Sequence, residues 1–70
     1  MNNNSVNIGD YVKITTKENE TYEGILTAIG KTYTSEGVQD FFNVSTLEHT
    51  ITIYGTKIEV IEKITILQYL

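Results

Sequence analysis

The sequence predicts an all-β fold, a small and strongly bent barrel of five strands. Composition is the first sign: ten Ile, eleven Thr, five Val, five Tyr and two Phe stand among seventy residues, with one Ala and no Pro. β-branched and aromatic side chains fit a pleated, half-buried surface, and good helix formers are scarce. The second sign is alternation of apolar and polar residues in short runs, the period-two pattern of strands with one buried face. The third is Gly24, in the middle of one such run, where a missing Cβ allows the sharp bend or bulge that a very small barrel needs.

The elements follow in order. Residues 1–7, beginning Met1-Asn2-Asn3-Asn4-Ser5, read as a flexible N-terminus, and residues 8–70 as a single domain. Gly9-Asp10 is a turn signal that launches a first strand over Tyr11 to Thr16, with Val12 and Ile14 inward. The polar stretch Lys17-Glu18-Asn19-Glu20 closes a hairpin onto a second strand, Thr21 to Ala28. That strand puts Tyr22, Gly24, Leu26 and Ala28 on one face and Glu23, Ile25 and Thr27 on the other, so both faces carry apolar area. Residues 31–39 (KTYTSEGVQ) read either as a short strand with a turn at Ser35-Glu36-Gly37 or as a mobile loop. A third strand runs from Asp40 to Leu47, with Phe42, Val44 and Leu47 as inward candidates. After a break at Glu48-His49, Thr50 to Tyr54 alternates cleanly with Ile51 and Ile53 inward. Gly55-Thr56 is a tight turn into a fifth strand from Lys57 to Ile61. The tail, residues 62–70, supports two readings. Ile58, Ile61, Ile64, Leu67 and Leu70 recur every three residues, as in a short helix, while the density of β-branched residues favours a strand.

Size and charge bound the function. A chain this short buries only about 60% of its unfolded surface, so its core is small. Small folds rely on disulfides, a metal or association. With no Cys and a single His, only association is left, and we expect a homo-oligomer. The lack of Pro removes one common block on edge-strand pairing. Net charge is −4, with five Lys and no Arg. That balance disfavours broad binding to duplex DNA and leaves room for a local nucleotide site. No apolar run approaches the roughly 18 residues of a membrane span, and no signal-peptide pattern opens the chain. A cytoplasmic protein with no membrane partner is the expectation.

Two stretches resemble the Sm-like (LSm/Hfq-type) small β-barrel superfamily, whose fold is SH3-like. The first motif of that family is a strand, a charged hairpin, and a strand with Gly followed by an aliphatic residue. Here it is matched by Val12 and Ile14, the Lys17 to Glu20 turn, and Tyr22-Glu23-Gly24-Ile25-Leu26. The second motif is an alternating strand, a Gly corner and a short strand, matched by Ile51 to Ile61 around Tyr54-Gly55. Tyr54 stands where the family carries a basic residue, and the family's Asp-x-φ-Met-Asn loop has only a shortened echo at Asp40-Phe41-Phe42-Asn43. The N-terminal helix of the family has no room before Gly9. The resemblance implies ring-forming subunits that hold single-stranded RNA or a small nucleotide between them.

Candidate site residues follow from that frame. Tyr54, beside Gly55, is a stacking platform for a base or a cover over the barrel mouth or a subunit seam. Asn43 could hydrogen-bond a base edge while Phe42 or Tyr33 stacks on it; the competing reading makes Phe42 core and Asn43 a strand-end cap. His49, beside Glu48, lacks the nucleophile and orienting partner of a catalytic base and reads as a solvated loop residue. Lys57, Glu59, Glu62 and Lys63 read as a solvated strand edge. There is no P-loop, dinucleotide fingerprint or metal-ligand spacing, so no catalytic residue, metal or cofactor is expected. The leading expectation is a non-enzymatic binding module. The alternative is an acidic interaction module of inhibitor type that docks on, or adds a strand to, a basic protein surface.

Overall fold

The computed structural model describes residues 6–65. Five antiparallel strands form one sheet: β1 (Tyr11–Thr16), β2 (Thr21–Thr34), β3 (Gly37–Ser45), β4 (Thr50–Tyr54) and β5 (Ile58–Lys63), with a 3-10 turn at Gly55–Lys57. Their order across the sheet is β4-β3-β2-β1-β5. The expected all-β, five-stranded fold is therefore the observed one.

The first hairpin forms because one hydroxyl organises its turn. Thr16 Oγ1 accepts hydrogen bonds from the amides of Glu18 at 3.2 Å and Glu20 at 3.1 Å, while the Thr16 amide donates to the Glu20 carbonyl at 2.8 Å. Asn19 takes the positive φ of 67° that the tight reversal requires. Thr16 is thus a buried polar residue with its bonds satisfied.

The undecided stretch after Gly30 is strand. β2 continues to Thr34, Ser35-Glu36 turns the chain, and Gly37 enters β3 at φ 107°. The pairing runs from Ile25↔Ser45 to Thr34↔Gly37, so the distal part of this hairpin is a long two-stranded arm.

A bulge between Leu26 and Ala28 changes which side of β2 faces the core. Before it, Leu26 pairs with Val44; after it, Ala28 pairs with Asn43 and Ile29 with Phe42. Cross-strand partners share a face. Ala28, expected beside Leu26, is therefore turned to the Asn43 side by the extra residue Thr27.

The core is Val12 and Ile14 of β1, Leu26 of β2, Val44 of β3 and Ile53 of β4, with Val6, Tyr22, Phe42, Ile51, Ile58 and Ile61 packed around it. A flat sheet could not bring its outermost strands to one cluster, since neighbours lie about 4.8 Å apart. The sheet must curl, and Gly24 is where it does so. A Cβ built there would lie 2.9 Å from both the Ser45 carbonyl carbon and Val44 Cγ1, and closer still to the Ser45 oxygen. The backbone of β3 occupies the space of the missing side chain. Gly24 was expected to be the bend, and the close approach is its form; the bulge lies at Thr27.

Two further expectations change. Leu47 is fully exposed, because β3 ends at Ser45 and Thr46 captures the chain. The Thr46 hydroxyl accepts from the amides of Glu48 and His49 at 3.3 Å and donates to the His49 carbonyl at 2.9 Å. At the other end, Lys57 belongs to the 3-10 turn, and β5 runs on to Lys63, where the Ile64 amide donates to the Tyr11 carbonyl at 2.8 Å. Residues 58–63 are strand; residues 66–70 of the tail, and residues 1–5 of the N-terminus, lie outside the described residues.

Gly24→Ala should cost about 1–3 kcal/mol or more, since backbone must move, and should lower the urea midpoint accordingly. Gly30→Ala is the matched control. Its Cβ would meet only the ring of Phe41, at 2.8 Å from Cζ, and a ring can swing aside. Equal losses for the two variants would contradict the curl at Gly24.

Candidate functional site

Strand alternation sorts the candidate residues. On β3, Phe41 and Asn43 share one face and Phe42 and Val44 the other. Register carries the sorting across the sheet, with Phe41↔Tyr54, Asn43↔Thr52 and Phe42↔Ile53. Tyr54 and Asn43 therefore lie together on the face opposite the core. They line an open groove of about 190 Å³ with Phe41, Thr32 and Thr52. The Thr52 hydroxyl donates to Asn43 Oδ1 at 2.7 Å, which fixes the amide and leaves its nitrogen to donate outward. The Phe41 ring lies over Gly30, its cross-strand partner, so a flat aromatic surface covers that stretch of backbone.

The other candidates fall elsewhere. Phe42 packs against the core. Tyr33 sits near the tip of the arm, 86% exposed, paired with Val38. Gly55 opens the 3-10 turn, whose end is tied by the Ile58 amide donating to the Gly55 carbonyl. This turn is held to β3 by the Thr56 hydroxyl, which donates to Gln39 Oε1 at 3.0 Å. The structure thus groups Tyr54 with Asn43, sets Gly55 beside them in the chain, and separates Phe42 and Tyr33. Phe41, Thr32 and Thr52 are the members that sequence reasoning missed. The signal was available: Asn43 and Phe41 are two apart in a strand, whereas Asn43 and Phe42 are adjacent and point to opposite faces.

A second concavity, of about 400 Å³, lies between the end of the first hairpin and β4. Ile51, Ile53 and Tyr22 supply apolar surface, Lys17 and Lys57 two cations, and Glu18 and Glu20 two carboxylates; Thr52 and Tyr54 border it as well as the groove. The Lys17 amide donates to the Lys57 carbonyl at 2.9 Å, which ties the two turns together. The Tyr22 hydroxyl donates to Glu20 Oε1 at 3.3 Å. The Glu20 carboxylate raises the Tyr22 phenol above its ordinary value, with partial burial, the hydrogen bond itself and Glu18 acting the same way. A negative charge beside the ring disfavours a phenolate, so Tyr22 stays protonated as a donor.

Among the described residues no group of three or more His, Cys, Asp or Glu side chains is placed to hold a metal. His49 is exposed in the Thr46–His49 loop. No helix among the described residues is long and apolar enough to cross a membrane. Comparison with family models, curated proteins and solved structures gives no match to this chain.

Glu20→Gln removes the largest cause of the Tyr22 shift. The Tyr22 midpoint, followed through its ring-carbon NMR shift on raising pH, should fall toward 10.0. A midpoint that stays in place would show that Glu20 does not face the phenol.

Proposed function

We propose that this protein is a non-enzymatic, self-associating binding module that holds single-stranded nucleic acid or a nucleotide-type small ligand. The observation that carries this reading is the grouping of Tyr54, Phe41 and Asn43 on one exposed face. Two aromatic rings in cross-strand register offer stacking surfaces, and a fixed amide beside them offers a donor to a base carbonyl. Stacking of one base on such a ring is worth about 1–3 kcal/mol and tolerates sequence. The lack of Arg and the net charge of −4 favour a compact ligand or an unpaired strand over a duplex backbone. Self-association is supported by β4, which lies at one edge of the sheet with no strand on its outer side among the described residues. It is supported too by the likeness of Val12–Leu26 and Ile51–Ile61 to Sm-like subunits. A symmetric assembly multiplies one weak site into several.

The second reading, an acidic module that docks on a basic protein, draws on the arm. Ile29, Tyr33 and Val38 are exposed there on a single face, 43%, 86% and 56% accessible. These residues lie away from the Tyr54 groove, so the two readings predict different sensitive positions.

Calorimetric titration at low salt with oligo-U, oligo-A and mononucleotides tests the choice. Tyr54→Ala should weaken binding roughly 5- to 150-fold, the equivalent of 1–3 kcal/mol, and Tyr33→Ala should leave it unchanged. Absence of binding to every one of these ligands would sink the nucleotide reading. Recovery of one stoichiometric basic protein partner, lost on Tyr33→Ala, would then favour docking.

A further inference from the structure

We propose that the cleft between the first hairpin turn and β4 is a phosphate subsite, in which Lys17 and Lys57 hold the phosphate of a bound nucleotide. The inference rests on the nucleotide reading above and adds where the charged end of the ligand lies. The five lysines divide by environment. Lys31 is 2.7 Å from Asp40, and Lys63 is 3.8 Å from Asp10. Lys13 stands in cross-strand register with Glu23 on one side and Glu62 on the other. Lys17 and Lys57 have no carboxylate of the described residues within the 4.0 Å of an ion pair. Both line the same cleft, and their backbones are joined by the 2.9 Å hydrogen bond. The cleft therefore holds two lysines that are matched to no carboxylate by an ion pair or by cross-strand register.

Its surroundings suit a ligand with one anionic end and one flat end. Lys17 and Lys57 supply the cationic donors, and Ile51, Ile53 and Tyr22 add apolar surface. A volume of about 400 Å³ falls within the range of small-molecule sites. Tyr54 and Thr52 border both the cleft and the stacking groove, so a single ligand can reach from one to the other around the edge of β4. Glu18 and Glu20 share the cleft and oppose a bare anion. Glu20 is engaged by the Tyr22 hydroxyl, and the sugar of a nucleotide, lying between base and phosphate, brings hydroxyl donors for the carboxylates. The site therefore discriminates a nucleotide from its phosphate alone.

The test compares nucleoside 5′-monophosphates, the matching nucleosides and inorganic phosphate by calorimetry. The chains are wild type, Lys17→Gln, Lys57→Gln and the double variant, with Lys13→Gln as control. Both cleft lysines are exposed, so the variants should fold; circular dichroism and the urea midpoint check this. Wild type should prefer nucleotide over nucleoside by roughly tenfold or more, as a charge-assisted contact warrants. The double variant should lose that preference and keep its affinity for the nucleoside, while Lys13→Gln matches wild type. Inorganic phosphate should bind more weakly than the nucleotide. If nucleotides bind and the double variant keeps the preference, the phosphate lies elsewhere and the subsite is wrong, while the broader reading stands. If wild type binds nucleosides and nucleotides equally, the subsite is likewise wrong. If nothing binds, both fall together.

Discussion

The backbone of Ser45 lies where a side chain on residue 24 would stand, and the rest of the molecule depends on that contact. It lets β3 fold closely over β2 and turns a row of five strands into a curled sheet. Curling gathers Val12, Ile14, Leu26, Val44 and Ile53 from four strands into one cluster. Each such aliphatic side chain contributes about 1.5–3 kcal/mol when fully buried, so losing one removes a large share of a small domain's stability. The curl also carries β4 round to face the first hairpin. The cleft between them follows directly from the missing Cβ.

Polar groups complete what the small core leaves undone. Thr16 serves the first hairpin, Thr34 the arm turn and Thr46 the loop before β4, each with its hydroxyl accepting from backbone amides two to four residues ahead. The abundance of Thr thus has two uses, as a strand former and as a turn organiser. Turns held by short local bonds fix the register of each hairpin together with the hydrophobic pattern.

Much of the fold was legible because period-two alternation is a local signal. Val12, Ile14, Ile51 and Ile53 point as their alternation requires, and Gly24 is where the sheet bends. The misplacements have one physical source. Ala28 and Leu47 lie beyond points where the chain leaves regular alternation, at Thr27 through a bulge and at Thr46 through a hydroxyl-capped turn. Neither interruption has a composition signature like Gly or Pro. The candidate site was half legible. Tyr54 and Asn43 meet because β4 lies in antiparallel register with β3, which the hairpin order implies. Lys17 and Lys57 meet because β5 pairs with β1 and the two lysines continue that ladder just past Thr16↔Ile58, across forty positions of sequence, and no local pattern announces it.

The extra residue at Thr27 acts as a phase shift in the sheet. Upstream of it, even-numbered residues of β2 face the core; downstream, it is Ile29, Lys31 and Tyr33 that line up with Phe42, Asp40 and Val38. The arm's exposed apolar row is therefore an extension of the core face beyond the point where the domain has anything to cover it. Gly30 and Thr32 come to lie under Phe41 and beside the stacking groove by the same half-turn. Were Thr27 paired in regular register with Asn43 instead of bulged out, Ile29 and Tyr33 would lie on the Tyr54 side and Gly30 would turn away from it. One unpaired residue, with no change in composition, decides which surface of this protein lies beside Phe41 and Tyr54 and which carries Ile29, Tyr33 and Val38.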